Sequence, residues 1–310
     1  MQNDLNLLIS QGHHFVGRHS AVKTCMWLKR SMRDKGNCYK NKFYGINSHR
    51  CLQMTPYIGC NHKCIFCWRP LDLNMGDLTE WDDPETIASG CISAQKKLIS
   101  GYKGAPTTNL DKFYEAIDPK HVAISLIGEP TLYPYLPELI SRFHEANMTT
   151  FLVTNGTNPK IIEKVEPTQL YLSLGAQDRE TYLKVCRPDN DYWDRINKSL
   201  QVLSKKECRV AIRITLVDGV NLKDASKYAE LLDKADPDFV EVKAYMHLGH
   251  SRKRLNRTCM PPHVKVKSFA RDIASEIGYK VVSDSEVSRI ALISNRSETG
   301  LELSECVNSD

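Results

Sequence analysis

The sequence predicts an α/β protein built on a parallel sheet, on three observations. Short apolar runs rich in β-branched residues alternate with segments of helical spacing between Cys51 and Tyr245. Gly128-Glu129-Pro130, Asn155-Gly156 and Gly175-Ala176 each follow such a run directly. A length of 310 residues, 41% hydrophobic and 25% charged, suffices for a substantial core. Alternation of this kind means parallel strands, in a sheet either open and doubly wound or closed towards a barrel, and periodicity does not separate the two. In both, residues just past the strand ends line the active face.

Cys51–Tyr57 reads as the first strand. The segment from Glu85 to Ser100 puts Ile87, Cys91, Ala94, Leu98 and Ile99 on one helical face after an Asp-Pro start. His121–Leu126 is a strand that stops at Gly128, and a helix follows through Pro137 to Ala146. The unit recurs as strand Thr150–Thr154, helix Pro159–Val165, strand Gln169–Leu174, helices Arg179–Val185 and Trp193–Lys205, strand Val210–Val217, helix Leu222–Lys234 and strand Phe239–Tyr245. A helix at His263–Glu276, short strands at Lys280–Val282 and Ile290–Ile293, and a polar end expected to fray complete the chain. The expected organisation is therefore a basic extension over 1–50, the strand–helix body over 51–260 and a C-terminal segment over 261–310.

This composition excludes collagen-like, low-complexity and wholly disordered chains. No stretch approaches the roughly 20 uncharged apolar residues of a membrane helix, and MQNDLNLLISQGHH lacks the features of a signal peptide. A cytoplasmic monomer without a membrane partner is expected. The net charge of +5 is uneven: residues 1–50 hold nine Lys/Arg against Asp4 and Asp34. A second run, Lys243 to Arg257, is free of acids and contains Arg252, Lys253 and Arg254. Two such patches can follow a phosphate backbone, or be merely solvated faces.

Of eleven cysteines, Cys25, Cys38, Cys51, Cys60, Cys64 and Cys67 fall in the first 67 residues. The dispersed Cys91, Cys186, Cys208, Cys259 and Cys306 read as small buried hydrophobes. A cytosolic chain of this size neither keeps nor needs disulfides, so the cluster points to metal or redox chemistry. Cys60-Asn-His-Lys-Cys64-Ile-Phe-Cys67, just after the first strand, supplies three thiolates that can wrap an iron–sulfur cluster and leave one iron open. The alternative is a zinc site completed by His62 or a distant residue.

Cys-x3-Cys-x-Phe-Cys, with Gly-Glu-Pro ending the next strand, resembles the radical S-adenosylmethionine (SAM) superfamily. The resemblance implies a [4Fe-4S] cluster on Cys60, Cys64 and Cys67 whose open iron chelates SAM, with Gly128, Glu129 and Pro130 helping to seat the methionyl amino group. One electron would cleave the sulfonium to a 5′-deoxyadenosyl radical, chemistry that belongs to the cofactor. Val16-Gly-Arg-His-Ser, Cys38-Tyr-Lys-Asn-Lys-Phe-Tyr-Gly45, His49-Arg-Cys51, Cys64-Ile-Phe-Cys-Trp-Arg69, Gly128-Glu-Pro-Thr-Leu-Tyr-Pro134, Val153-Thr-Asn-Gly156 and Glu241-Val-Lys-Ala-Tyr245 together resemble the tRNA 4-demethylwyosine synthases, over about residues 15–295.

That resemblance implies a lyase of wybutosine biosynthesis that joins N1-methylguanosine-37 of tRNA-Phe to two carbons of pyruvate. Cys25, Cys38 and Cys51, evenly spaced, match ligands of a second [4Fe-4S] cluster that would chelate pyruvate. Lys40 matches the lysine proposed to form an imine with pyruvate, and Lys243 is a second candidate. Thr154, Asn155 and Ser173 are placed to meet the SAM ribose or carboxylate. Phe66 and Trp68 shield the cluster or simply pack, and His62 and Lys63 read as solvated loop residues. Gly175 stands where several relatives have a polar residue, so it has no polar role. Arg252, Lys253 and Arg254 are expected on RNA phosphates, and Arg50 on pyruvate or an anticodon phosphate. The eukaryotic members' flavodoxin-like domain is lacking, which implies a separate electron donor.

The fold expected is a partial (β/α)6 TIM-like barrel of the radical SAM type with an N-terminal cluster-binding extension, because eight units need about 250 residues. Two competing readings are a radical SAM enzyme with another substrate and a zinc-stabilised RNA-binding module without catalysis.

Overall fold

The computed structural model describes residues 2–71 and 80–301. Its strands are β1 (His14–Val16), β2 (Ser20–Val22), β3 (Cys51–Thr55), β4 (His121–Ile124), β5 (Thr149–Thr154), β6 (Gln169–Leu174), β7 (Arg209–Leu216), β8 (Phe239–Ala244), β9 (Lys280–Ser285) and β10 (Ile290–Ser294). They form one sheet in the order β1-β2-β3-β4-β5-β6-β7-β8-β10-β9. From β3 to β8 all neighbours are parallel and follow chain order, without the reversal of a doubly wound sheet. These are the six strands expected from the sequence. β3 stops at Thr55 because Pro56 has no N–H to continue a ladder.

The margins differ from a purely parallel sheet. The hairpin β1–β2 pairs antiparallel with β3, and β10 and β9 continue antiparallel from β8. Strands of three residues carry no readable periodicity, so β1 and β2 escaped the sequence reading.

The helices are α1 (Gln2–Ser10), α2 (Met26–Ser31), α3 (Tyr39–Tyr44), α4 (Pro84–Ile99), α5 (Leu110–Ile117), α6 (Leu136–Glu145), α7 (Pro159–Lys164), α8 (Arg179–Cys186), α9 (Trp193–Leu203), α10 (Ala225–Ala235) and α11 (His263–Glu276). α4 starts as its sequence dictates: Asp83 accepts from Thr86 N at 2.9 Å and Pro84 opens the first turn. Among the described residues no helix is long and apolar enough to cross a membrane.

Period-two alternation gives the sheet two faces. Leu170, Leu172 and Leu174 of β6 join Ile212, Ile214 and Val242 in the main core beneath the helices. On the opposite face Phe151, Tyr171, Ala211 and Phe239 pack against Phe43 and Tyr44 of α3. Further towards the strand C-termini that face opens into a cavity. Cys91 and Cys186 are buried as expected. Cys208 and Cys259 are instead partly exposed, since the first precedes β7 in a turn and the second ends a short 3-10 turn. Cys306 and the polar end lie outside the described residues.

Candidate active site

A cavity of about 620 Å³ sits at the C-terminal ends of the parallel strands. Cys60, Cys64 and Cys67 line it together with Glu129, Thr154, Asn155, Ser173, Arg213 and Lys243. The loop carrying the thiols is fixed by its backbone: Lys63 N donates to Cys186 O at 3.0 Å and Ile65 N to Val185 O at 2.9 Å. Gly128 is required where this loop crosses it, since φ is +78° and a Cβ would fall 1.9 Å from Tyr57 O. Glu129, fully buried, accepts through Oε1 from the Thr131 and Thr154 hydroxyls, both at 2.6 Å, and through Oε2 from Asn155 N at 2.7 Å. Oε2 thus keeps a lone pair for a further donor. Burial pushes the Cys60 thiol up to about 11 and Arg69, whose Nε reaches Cys67 Sγ at 3.0 Å, acts against it. A thiol held neutral in this way becomes a ligand when a metal displaces its proton, and three thiols on one loop facing one cavity fit a cluster.

The second trio is assembled from separate elements at the other end of the same face. Cys25 precedes α2 and accepts from Leu28 N at 3.3 Å, Cys38 precedes α3, and Cys51 opens β3. The Cys51 thiol feels both Cys25 and Cys38, and burial raises all three. Lys40 is buried beside them, its Nζ 4.4 Å from the Phe151 ring centroid and 4.5 Å from that of Tyr171. Burial, then Arg213, lower its pKa. Glu241, fully buried, receives Arg213 Nε at 2.8 Å and the hydroxyls of Tyr44 at 2.9 Å and Tyr39 at 3.1 Å. Lys243 lies beyond it, donates to Ser288 O at 2.7 Å and is brought down to about 8 by burial.

Comparison with known proteins agrees with this arrangement. The radical SAM superfamily matches residues 54–232 and the family described as wyosine base formation matches 234–295. An S-adenosyl-L-methionine-dependent tRNA 4-demethylwyosine synthase of Pyrococcus abyssi is 49% identical over 298 residues, covering 93% of this chain and 87% of that one. The chain belongs to the radical SAM tRNA 4-demethylwyosine synthase family. The Methanocaldococcus jannaschii member is 44% identical, with 93% and 94% covered. A TYW1 structure with a lysine–pyruvate adduct bound superposes with a TM-score of 0.90 at 42% identity and 98% coverage of both chains. A crystal structure of archaeal TYW1 gives 0.82 at 38%, with 97% and 99% covered.

Within this family member, most residues singled out in the sequence converge on one sheet face. Thr154 and Asn155 act on the site's own frame: Thr154 holds Glu129, and Asn155 Nδ2 donates to Asn61 Oδ1 at 2.8 Å. Pro130 opens the buried turn after Glu129, and Phe66 and Ser173 face the cavity. His62 is buried, not solvated, with Nε2 2.9 Å from the Tyr182 hydroxyl, and only Lys63 is exposed. Arg50 turns to Asp118, 2.7 Å away, instead of to the Cys51 thiol's neighbours. Arg252 and Lys253 are exposed, whereas Arg254 donates to Ile65 O at 3.2 Å and to Cys67 O. Arg213, Glu241, Arg69 and Cys186 were given no role from sequence. For Arg213 and Glu241 the signal is a charge inside an apolar strand, as in Ala-Ile-Arg213-Ile and Val-Glu241-Val, paired in register. Cys186 offered no signal, yet its sulfur lies within 4.8 Å of both Cys64 Sγ and a His62 nitrogen.

Proposed function

We propose that the chain forms 4-demethylwyosine by joining N1-methylguanosine-37 of tRNA-Phe to two carbons of pyruvate, a carbon–carbon lyase reaction. The carrying observation is the pair of thiol trios at opposite ends of one sheet face, with Lys40 and Lys243 on that face. Clusters on the two trios, with SAM, supply the hydrogen-abstracting radical and a Lewis-acidic seat for pyruvate. Glu129 Oε2 is free to accept from the SAM ammonium. The lowered pKa of Lys40 leaves more of its amine uncharged, the form that attacks a ketone. Its nitrogen then bonds the pyruvate carbonyl carbon and water leaves, in keeping with the lysine–pyruvate adduct of a relative. The monotonic strand order supports a partial (β/α)6 barrel.

Borohydride added to anaerobically reconstituted enzyme with pyruvate should fix a reduced adduct on the peptide containing Lys40, and Lys40→Ala should abolish both adduct and product. An adduct on Lys243 would reverse the assignment, and none on either would end it. Zinc in place of iron after reconstitution would favour the non-catalytic module, for which His62, Cys64 and Cys186 form a trio.

A further inference from the structure

The mouth of the cavity carries features that the chemistry of SAM and pyruvate does not use. Met26, Trp68, Leu248 and Val287 all line the cavity, and all are large apolar side chains left exposed. Trp68 is the one exposed tryptophan among the described residues, at 38%. Its placement is rigid. Its carbonyl accepts from His250 N at 2.8 Å, and Gly249, at φ +54°, comes so close that a Cβ would fall 2.3 Å from that oxygen. The indole stacks on His13 at 6.4 Å and 12°, and Lys23 Nζ lies 5.4 Å from its centroid. Gln11 Nε2 is 3.3 Å from His250 Nε2. The N-terminal basic segment and the second basic run therefore meet at this ring, one residue after Cys67.

We propose that Trp68 is the stacking platform for a nucleobase of the single-stranded RNA loop that carries the reacting base, with Lys23 on the adjoining phosphate. The assignment rests on the RNA substrate proposed above. An aromatic ring held rigid, half in water and flanked by cations suits a base flanking the extruded one, because every base has a stackable face and a phosphate at a fixed distance. No carboxylate pairs with Lys23 among the described residues, so its ammonium is available to that phosphate. An apolar rim without cations would suit a protein or lipid partner better.

Binding of an anticodon stem–loop RNA containing 1-methylguanosine, measured across a salt series, tests the assignment. Trp68→Ala should weaken binding about tenfold at unchanged salt slope, because stacking releases no counterions. Trp68→Phe should restore most of the loss. Lys23→Ala should lower the slope by about one. Iron content equal to the parent shows that the cluster loop is intact. Parent-like affinity in Trp68→Ala, or a loss that Phe does not rescue, overturns the platform. Failure of the parent itself to bind this RNA would instead overturn the substrate reading.

Discussion

The two thiol trios differ in how the chain builds them. Cys60, Cys64 and Cys67 lie in one loop, stapled by backbone hydrogen bonds to the carbonyls of Val185 and Cys186 at the C-terminal end of α8. Cys25, Cys38 and Cys51 come from two helix starts and a strand start, and meet only once the sheet and α3 are in place. Their electrostatics differ too. Arg69 stands beside the loop trio, whereas the assembled trio shares its surroundings with Lys40 and, at Cys38, the buried Glu241. A local motif is suited to fixing a reactive group that works in many settings. An assembled one ties its ligand to a particular fold, as a substrate-specific site requires.

Breaking each trio should therefore have separable effects. Anaerobically reconstituted parent should carry about eight irons per chain, and either triple Cys→Ala variant about four. Removal of Cys60, Cys64 and Cys67 should abolish SAM cleavage altogether, read as 5′-deoxyadenosine. Loss of Cys25, Cys38 and Cys51 should end product formation while some uncoupled cleavage survives. Equal loss of cleavage in both would show that the trios do not divide the work, and four irons in the parent would remove the second cluster.

The charge at the loop end sharpens the contrast further. Arg252 and Lys253 are exposed, but Arg254 is spent on the carbonyls of Ile65 and Cys67. Neutralising Arg252 and Lys253 should weaken tRNA binding several-fold and lower its salt slope by up to about two. Arg254→Gln should barely alter the slope and instead reduce iron retained by the loop trio alone, measured in the variant lacking the other three cysteines. A slope change from Arg254 as large as from its neighbours would mean that it leaves the loop for phosphate.

The difference between the trios also explains what was legible in the sequence. All six parallel strands, the loop trio and Gly128-Glu129-Pro130 were readable, because each is a contiguous pattern with its own spacing. The assembled trio was visible only as even spacing, and its reading as a second cluster site came from family resemblance. The hairpin β1–β2 has strands too short to show a period, and the pairing of Arg213 with Glu241, unlike the lone charge each puts in its own strand, depends on register between separate segments. His62 was misread for the same reason: its burial is decided by Tyr182, 120 residues away in sequence.

A smaller effect should mark the assembled end under acid. His121 opens β4 in register with Cys51; its Nε2 accepts from Asn47 N at 3.2 Å and its Nδ1 meets Thr149 Oγ1 at 2.7 Å. Burial first, then Arg50, Lys40 and His49, bring its pKa down from 6.5 to about 4. Between those values the unfolded chain binds a proton that the folded chain refuses, so stability is full above pH 6.5 and falls as the pH drops towards 4. The difference amounts to at most about 3 kcal/mol. In apoprotein, the urea midpoint should fall across this window, and His121→Gln should flatten that part of the profile. Amide exchange in α3 and β4 should rise before that of residues 60–67. Parallel profiles for parent and variant, or earlier exchange in the loop, would place the acid-sensitive step at the other end of the face.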